Sequence, residues 1–163
     1  MQKKIFAIIL TGIIFCLTGI AFAGNSTTQT VTFQVNAINE ITVSGNPGAL
    51  IVSTATAGSE PDQVSDSSTT YNITTNGSNK KITGQLDSAM PSDTTLTVSL
   101  VAPSGGTSAG DVALSATAAN LVTDINKKKG SSLGITYKFS ATVDAGIISS
   151  TSRTATLTIL DGP

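Results

Sequence analysis

The sequence has few of the residues on which most enzyme active sites and metal centres depend. Among its 163 residues there is no histidine and no tryptophan, and the single cysteine is Cys16. These absences exclude a Ser-His-Asp or Cys-His catalytic arrangement, a zinc site built from Cys and His, and a disulfide within the chain. Aromatic residues make up only 4% of the chain, which leaves few flat apolar faces for stacking sugars.

Charged residues are also sparse, at 12% of the chain. After residue 23, seven basic side chains stand against ten acidic ones, which gives a net charge of −3. A mildly acidic chain lacks the basic surface that nucleic-acid binding requires. We therefore expect no nucleic-acid partner. Because the acids are scattered and catalytic His and Cys are absent, we also expect no enzymatic activity and no cofactor.

The N-terminal residues have the pattern of a secretory signal peptide. Lys3 and Lys4 precede a nearly continuous apolar run that ends Ala21-Phe22-Ala23, with small residues at the two positions that signal peptidase reads. We predict that residues 1–23 are removed by cleavage between Ala23 and Gly24, and that no membrane span remains. The mature chain would then be secreted to the periplasm or the cell surface. The alternatives are a retained anchor, because the run is about long enough to cross a bilayer, and a lipoprotein attached through Cys16.

The mature sequence is dominated by Ser and Thr, which make up 44 of its 140 residues. They alternate with apolar residues in several runs, and this period of two predicts half-buried strands with one face toward a core. The four clearest runs cover residues 28–37, 95–100, 135–143 and 154–160. Turn residues separate the runs, and Asn76-Gly77 between two of them predicts a β-hairpin. We therefore predict an all-β fold: a single antiparallel β-sandwich domain over residues 24–163, with about eight or nine strands. A closed barrel is the alternative.

Candidate binding residues are few. Glu60, Asp62 and Asp66 fall within seven residues in a predicted exposed loop, residues 58–68, and are weak candidates for a calcium site, because Ca²⁺ prefers clustered carboxylate oxygens. A solvated acidic loop is the preferred interpretation, so no metal is expected. Three consecutive lysines at residues 127–129 are interpreted as a solvated turn. The mature chain has four aromatic residues, all in phase with aliphatic neighbours, and we expect them in the core: Phe33, Tyr71, Tyr137 and Phe139.

The two ends of the mature chain are its most informative features. Residues 28–37 alternate directly after the predicted cleavage site, and residues 154–160 alternate almost at the C-terminus. Terminal strands commonly complete their own sheet. An extended strand of one subunit can also pair with an exposed sheet edge of the next, and such a head-to-tail contact propagates as a fibre.

Three stretches resemble small exported bacterial surface subunits of the spore-coat-protein-U and fimbrial type. They are residues 71–86, residues 90–98 leading into a strand, and the ending 135–142 with 153–159. The resemblance implies an Ig-like sandwich, export across the inner membrane and, in many members, polymerisation by donated strands with a periplasmic chaperone. Many pilins of these groups contain a disulfide, and this mature chain has no cysteine.

Two functions follow as hypotheses. The first is a secreted surface or fibre subunit without chemistry of its own, whose partners are copies of itself or other surface subunits, and which assembles by strand donation from residues 24–37. The alternative is a monomeric adhesin-like or carbohydrate-binding module that acts through the loops at residues 58–68 and 103–111.

Overall fold

The computed structural model describes residues 24–162 and contains nine β-strands in that range. The predicted signal peptide, residues 1–23, lies outside the described residues, as does Pro163. A single turn of 3-10 helix covers Val143–Ala145. The strands are β1 (Asn39–Val43), β2 (Val64–Thr75), β3 (Lys80–Leu86), β4 (Thr94–Leu100), β5 (Thr107–Ser108), β6 (Val112–Ala113), β7 (Ala119–Ile125), β8 (Lys128–Ala141) and β9 (Ala155–Asp161).

The strands form two antiparallel sheets, as the sequence predicts. One sheet has the order β1-β2-β8-β4-β6, and the other has the order β5-β7-β3-β9. The fourteen-residue strand β8 is paired on both sides, with β2 and with β4. After β2, every connection along the chain passes from one sheet to the other. The two sheets are therefore joined repeatedly at both ends of the strands.

The core lies between the sheets and is built from the alternating apolar residues. Tyr71 on β2, Ile82 on β3 and Val98 on β4 are completely buried, and Leu121 and Ile135 are nearly so. Gly84 on β3 is required by this packing, because a Cβ atom there would lie 2.6 Å from the Leu121 side chain and 3.2 Å from Leu114. The predicted period of two is thus confirmed for the central strands.

The predicted hairpin at Asn76-Gly77 is wrong. Strand β2 belongs to the first sheet and β3 to the second, so residues 76–79 cross between sheets instead of reversing within one. The two-residue hairpin turn requires positive φ at both central residues. Asn79 is the residue of this connection that has positive φ, at 50°. The Asn76 side chain forms hydrogen bonds with the backbone of Asn36 and Ile38.

Two further expectations need correction. Residues 28–37 form no strand, and no strand occurs between Gly24 and Ile38. The predicted loop at residues 58–68 is shorter than expected, because β2 already begins at Val64. The sequence pattern did not predict the start of β2, because Ser65, Asp66 and Ser67 are polar and show no alternation with apolar residues.

The chain divides into two units, residues 1–34 and residues 35–163. The described residues of the first unit, 24–34, contain no helix or strand. The second unit contains all nine strands of the described chain.

Candidate assembly surface

The alternating segment at residues 28–37 exposes its apolar side chains. Val31 is 74% exposed, Phe33 is 89% exposed and Val35 is 80% exposed. The expectation that Phe33 lies in the core is therefore wrong. Burying a Val or Phe side chain stabilises a protein by about 1.5–3 kcal/mol. Because Val31, Phe33 and Val35 are exposed, they do not contribute this free energy to the packing of the two sheets. The remaining aromatic residues fit the prediction better: Tyr71 is buried, and Tyr137 and Phe139 are half-buried.

Asn76 fixes the point at which this segment joins the sandwich. Its side-chain oxygen accepts a hydrogen bond of 2.8 Å from the backbone N–H of Ile38. Its side-chain nitrogen donates to the backbone oxygen of Asn36, at 2.7 Å. The backbone N–H of Asn76 also donates to the Ile38 oxygen, at 3.2 Å. Because Asn39 pairs with Thr75, these bonds hold residues 36–38 against the chain that follows β2, just beyond the end of the strand pairing.

Strand β9 is the edge strand of the second sheet and is the candidate site for pairing with an additional strand. It pairs with β3 over its full length, from Lys80 opposite Asp161 to Leu86 opposite Ala155, and it is the last strand of its sheet. Its core-facing residues Ala155, Leu157 and Ile159 are only half-buried, whereas Ile82, Gly84 and Leu86 of β3 are buried. A sheet edge of this kind presents unpaired backbone groups and accepts an extended peptide.

Two of the three candidate calcium ligands, Glu60 and Asp66, have separate local roles, and the third, Asp62, is exposed in the loop before β2. The Glu60 carboxylate accepts a 2.7 Å hydrogen bond from the Val143 N–H. Asp66 lies within β2 and accepts bonds from the hydroxyl and the N–H of Ser68, at 2.7 and 3.0 Å. These bonds lower the pKa of the Asp66 carboxyl below its usual value. Within residues 24–162, no group of three His, Cys, Asp or Glu residues is placed to hold a metal ion.

The two loops considered for ligand binding, residues 58–68 and 103–111, differ in structure. An open cleft of about 420 Å³ is lined in part by Glu60, Asp93, Thr95 and Ser140. Residues 103–111 contain the short strand β5 and turn at Gly105 and Gly110, which have positive φ. The lysine run is split between a turn and a strand: Lys127 has φ 45°, and Lys128 begins β8.

Tyr71 is the residue whose burial has the clearest electrostatic effect. Its hydroxyl donates a 2.6 Å hydrogen bond to the backbone oxygen of Val101, which ties β2 to the chain after β4. Burial raises the pKa of Tyr71 to about 12, because the phenolate would lose its hydration. Burial also raises the pKa of Tyr137.

Comparisons with known proteins identify no relative of this chain. It matches no protein-family model, and neither the curated proteins nor the solved structures contain a significant match. The part of the chain that the structure describes contains no helix with the length and apolarity of a membrane span.

Proposed function

We propose that this chain is a secreted bacterial surface or fibre subunit without catalytic activity, and that it assembles by donating its N-terminal segment, residues 24–37, to another copy. One observation carries the proposal: the segment alternates like a strand, yet Val31, Phe33 and Val35 are exposed and lie outside both sheets. The N-terminal sequence pattern supports the secreted location.

Strand donation would place residues 28–37 in the extended conformation that their alternating sequence favours. In an extended conformation Val31, Phe33 and Val35 lie on one face, and Thr30, Thr32 and Gln34 lie on the other. Pairing with a sheet edge would satisfy backbone groups and cover the apolar face at the same time. Because the donor segment and the accepting edge are different surfaces of one molecule, the contact is heterologous and repeats without closing.

A subunit that acts by pairing with its own copies needs edges and exposed apolar segments, not a deep cavity. The resemblance noted in the sequence adds a periplasmic chaperone as a proposed partner, because a subunit with an open edge requires protection before it assembles.

The proposal is tested with a charge placed on either face of the segment. The full 163-residue sequence is expressed, and the exported chain is purified and followed by light scattering and negative-stain microscopy. Phe33→Asp is expected to abolish filaments, since a carboxylate cannot enter an apolar face without a large cost. Thr32→Asp adds the same charge to the opposite face and is expected to leave assembly intact.

Two results would contradict the proposal. One is a wild-type chain that stays monomeric at high concentration. The other is a Phe33→Asp chain that assembles as well as Thr32→Asp. A stable monomer would favour the alternative, a module that binds through its loops, and a glycan array would then be the next measurement.

A further inference from the structure

The sandwich has two chemically different ends. At one end the residues 76–79 meet the turn between β7 and β8: the Lys127 N–H donates to the Gly77 oxygen at 2.8 Å, and the Asn79 N–H donates to Asn126 at 2.7 Å. At the other end the start of β4 meets the end of β8, where the Thr142 N–H donates to the Asp93 oxygen at 3.0 Å. Strand β9 runs from the second end to the first, a distance of about 20 Å for seven residues.

The first end, called the lysine end, carries most of the basic side chains. The Lys80 ammonium pairs with the Asp161 carboxylate there, and Lys127 is exposed. The charged residues of the lysine end are Lys80, Lys81, Lys127, Lys128 and Lys129 against Glu40, Asp124 and Asp161. The lysine end therefore has a net positive charge in a chain that is negative overall.

The second end, called the acidic end, carries the opposite charge. The Glu60 carboxylate accepts a hydrogen bond from the loop after β8, and the backbone N–H of Asp87 donates to the Thr154 oxygen just before β9. Its charged residues are Glu60, Asp62, Asp87, Asp93 and Asp144 against Arg153 alone. All five carboxylate residues are exposed.

The acidic end also presents an apolar loop, residues 142–152, between β8 and β9. Ile147 is fully exposed, and Val143 and Ile148 are exposed as well. The loop is anchored at both sides, by Glu60 at the Val143 N–H and by Arg153, whose guanidinium donates to the Ala89 oxygen at 2.9 Å. Large exposed apolar side chains on an anchored loop mark an interaction surface.

We infer that the acidic end of one copy packs against the lysine end of the next, with Ile147 buried in the joint. The inference rests on the proposed function, because it places the copies end to end in the same fibre. The two ends have complementary charge, and such complementarity selects partner and register. The lysine end adds exposed apolar surface at Leu160, which lies opposite Lys81. Asn36 and Ile38, which bond to Asn76, also lie at the lysine end.

A second copy fits the loop better than a membrane does. The same end of the sandwich carries five exposed carboxylates, and an anionic lipid surface would repel them. The positive charge of the lysine end complements the negative charge around the loop. Because the two ends lie at opposite sides of the sandwich, the contact can repeat along a line.

The test measures the critical concentration for assembly of the exported, full mature chain by light scattering. Ile147→Asp is expected to raise it about tenfold or more, because burial of an isoleucine is lost. Lys127→Glu is expected to raise it as well and to weaken its dependence on NaCl, since screening acts on the charges between the ends. The control Asn120→Asp adds a charge on the exposed face of β7 and is expected to have no effect.

Cross-linking locates the joint directly, because the chain after residue 23 has no cysteine. A chain carrying Ile147→Cys and Ser78→Cys places one thiol at each end of the sandwich. A short bifunctional maleimide is expected to convert its filaments into a ladder of covalent oligomers. Asn120→Cys combined with Ser78→Cys is the matched control and is expected to give no ladder.

The outcomes separate this inference from the proposed function. If wild type assembles and Phe33→Asp does not, but Ile147→Asp and Lys127→Glu behave like Asn120→Asp, strand donation stands and the end-to-end joint is overturned. If the ladder forms with Asn120→Cys and not with Ile147→Cys, the copies pack side by side and the joint is again overturned. If wild type never assembles, both the inference and the proposed function are wrong.

Discussion

Residues 28–37 and strand β9 carry the same alternation of polar with apolar side chains, near opposite ends of the described chain. In β9 the core-facing residues Leu157 and Ile159 pack against the core and the backbone pairs with β3. In the N-terminal segment the corresponding residues Val31 and Phe33 are exposed. The comparison teaches that alternation specifies a strand only when a sheet edge is available to receive it. Within the described chain β9 has such a partner, and we propose that residues 28–37 find theirs in another copy.

The largest expected effect is a difference in the free energy of unfolding between two variants, one with an aspartate in β9 and one with an aspartate in residues 28–37. Leu157→Asp is expected to lower the free energy of unfolding by about 2–3 kcal/mol, because a carboxylate would be half-buried against the core. Phe33→Asp is expected to change it by less than about 0.5 kcal/mol, as for an exposed site. Urea denaturation at concentrations below assembly measures both. Equal destabilisation by the two variants would show that residues 28–37 belong to the folded core of their own chain.

A smaller effect is expected at Tyr71, which tests whether stability resides in the sheets. Tyr71→Phe removes the donor to the Val101 oxygen and is expected to cost about 1 kcal/mol. Its pKa of about 12 in the folded chain exceeds the usual value of 10. The stabilisation by the neutral phenol is therefore complete below pH 10 and is lost as pH rises toward 12.

The measurement is the free energy of unfolding of wild type and Tyr71→Phe between pH 8 and pH 12. The difference between the two proteins is expected to shrink above pH 10. The subtraction removes the contribution of Tyr137, whose pKa is raised in both proteins. A difference that stays constant across this range would contradict the account of Tyr71.

The smallest effect is expected at Asn76, which binds the chain where residues 28–37 meet β1. Asn76→Ala removes the two side-chain hydrogen bonds to residues 36 and 38 and is expected to cost about 1 kcal/mol or less. It is also expected to accelerate amide exchange at Ile38. Asn72→Ala is the matched control, because Asn72 likewise makes two side-chain bonds, to Ser132 and Thr42. Similar acceleration at Ile38 in both variants would show that Asn76 does not clamp the segment.

The sequence predicts the all-β class and the two antiparallel sheets because alternation over Leu96, Val98 and Leu100, or Ile135 and Tyr137, reports directly which side chains face a core. It does not predict sheet membership. Asn76-Gly77 has hairpin composition, but the turn type depends on backbone angles that are set by packing: here Asn79 adopts positive φ and Asn76 binds residues 36 and 38.

The candidate surface was predictable in part. The exposed N-terminal segment is visible in the sequence as alternation at Val31, Phe33 and Val35, although the same pattern predicts a buried strand. The charge difference between the two ends could not be found from the sequence. Glu60, Asp93 and Asp144 are separated by long stretches of chain, and only the antiparallel pairing of β4 with β8 brings their surroundings together.

Amide hydrogen exchange over residues 28–37, in the dilute exported chain and in its filaments, distinguishes strand donation from pairing within one chain. Fast exchange is expected in the dilute chain, because residues 28–37 form no strand and Val31, Phe33 and Val35 are exposed. Strong protection is expected in the filament, where the segment becomes a strand of the neighbouring copy. Protection already present in the dilute chain would show that the segment completes its own sheet. Fast exchange that persists in the filament would show that assembly does not use it. Either result would contradict strand donation.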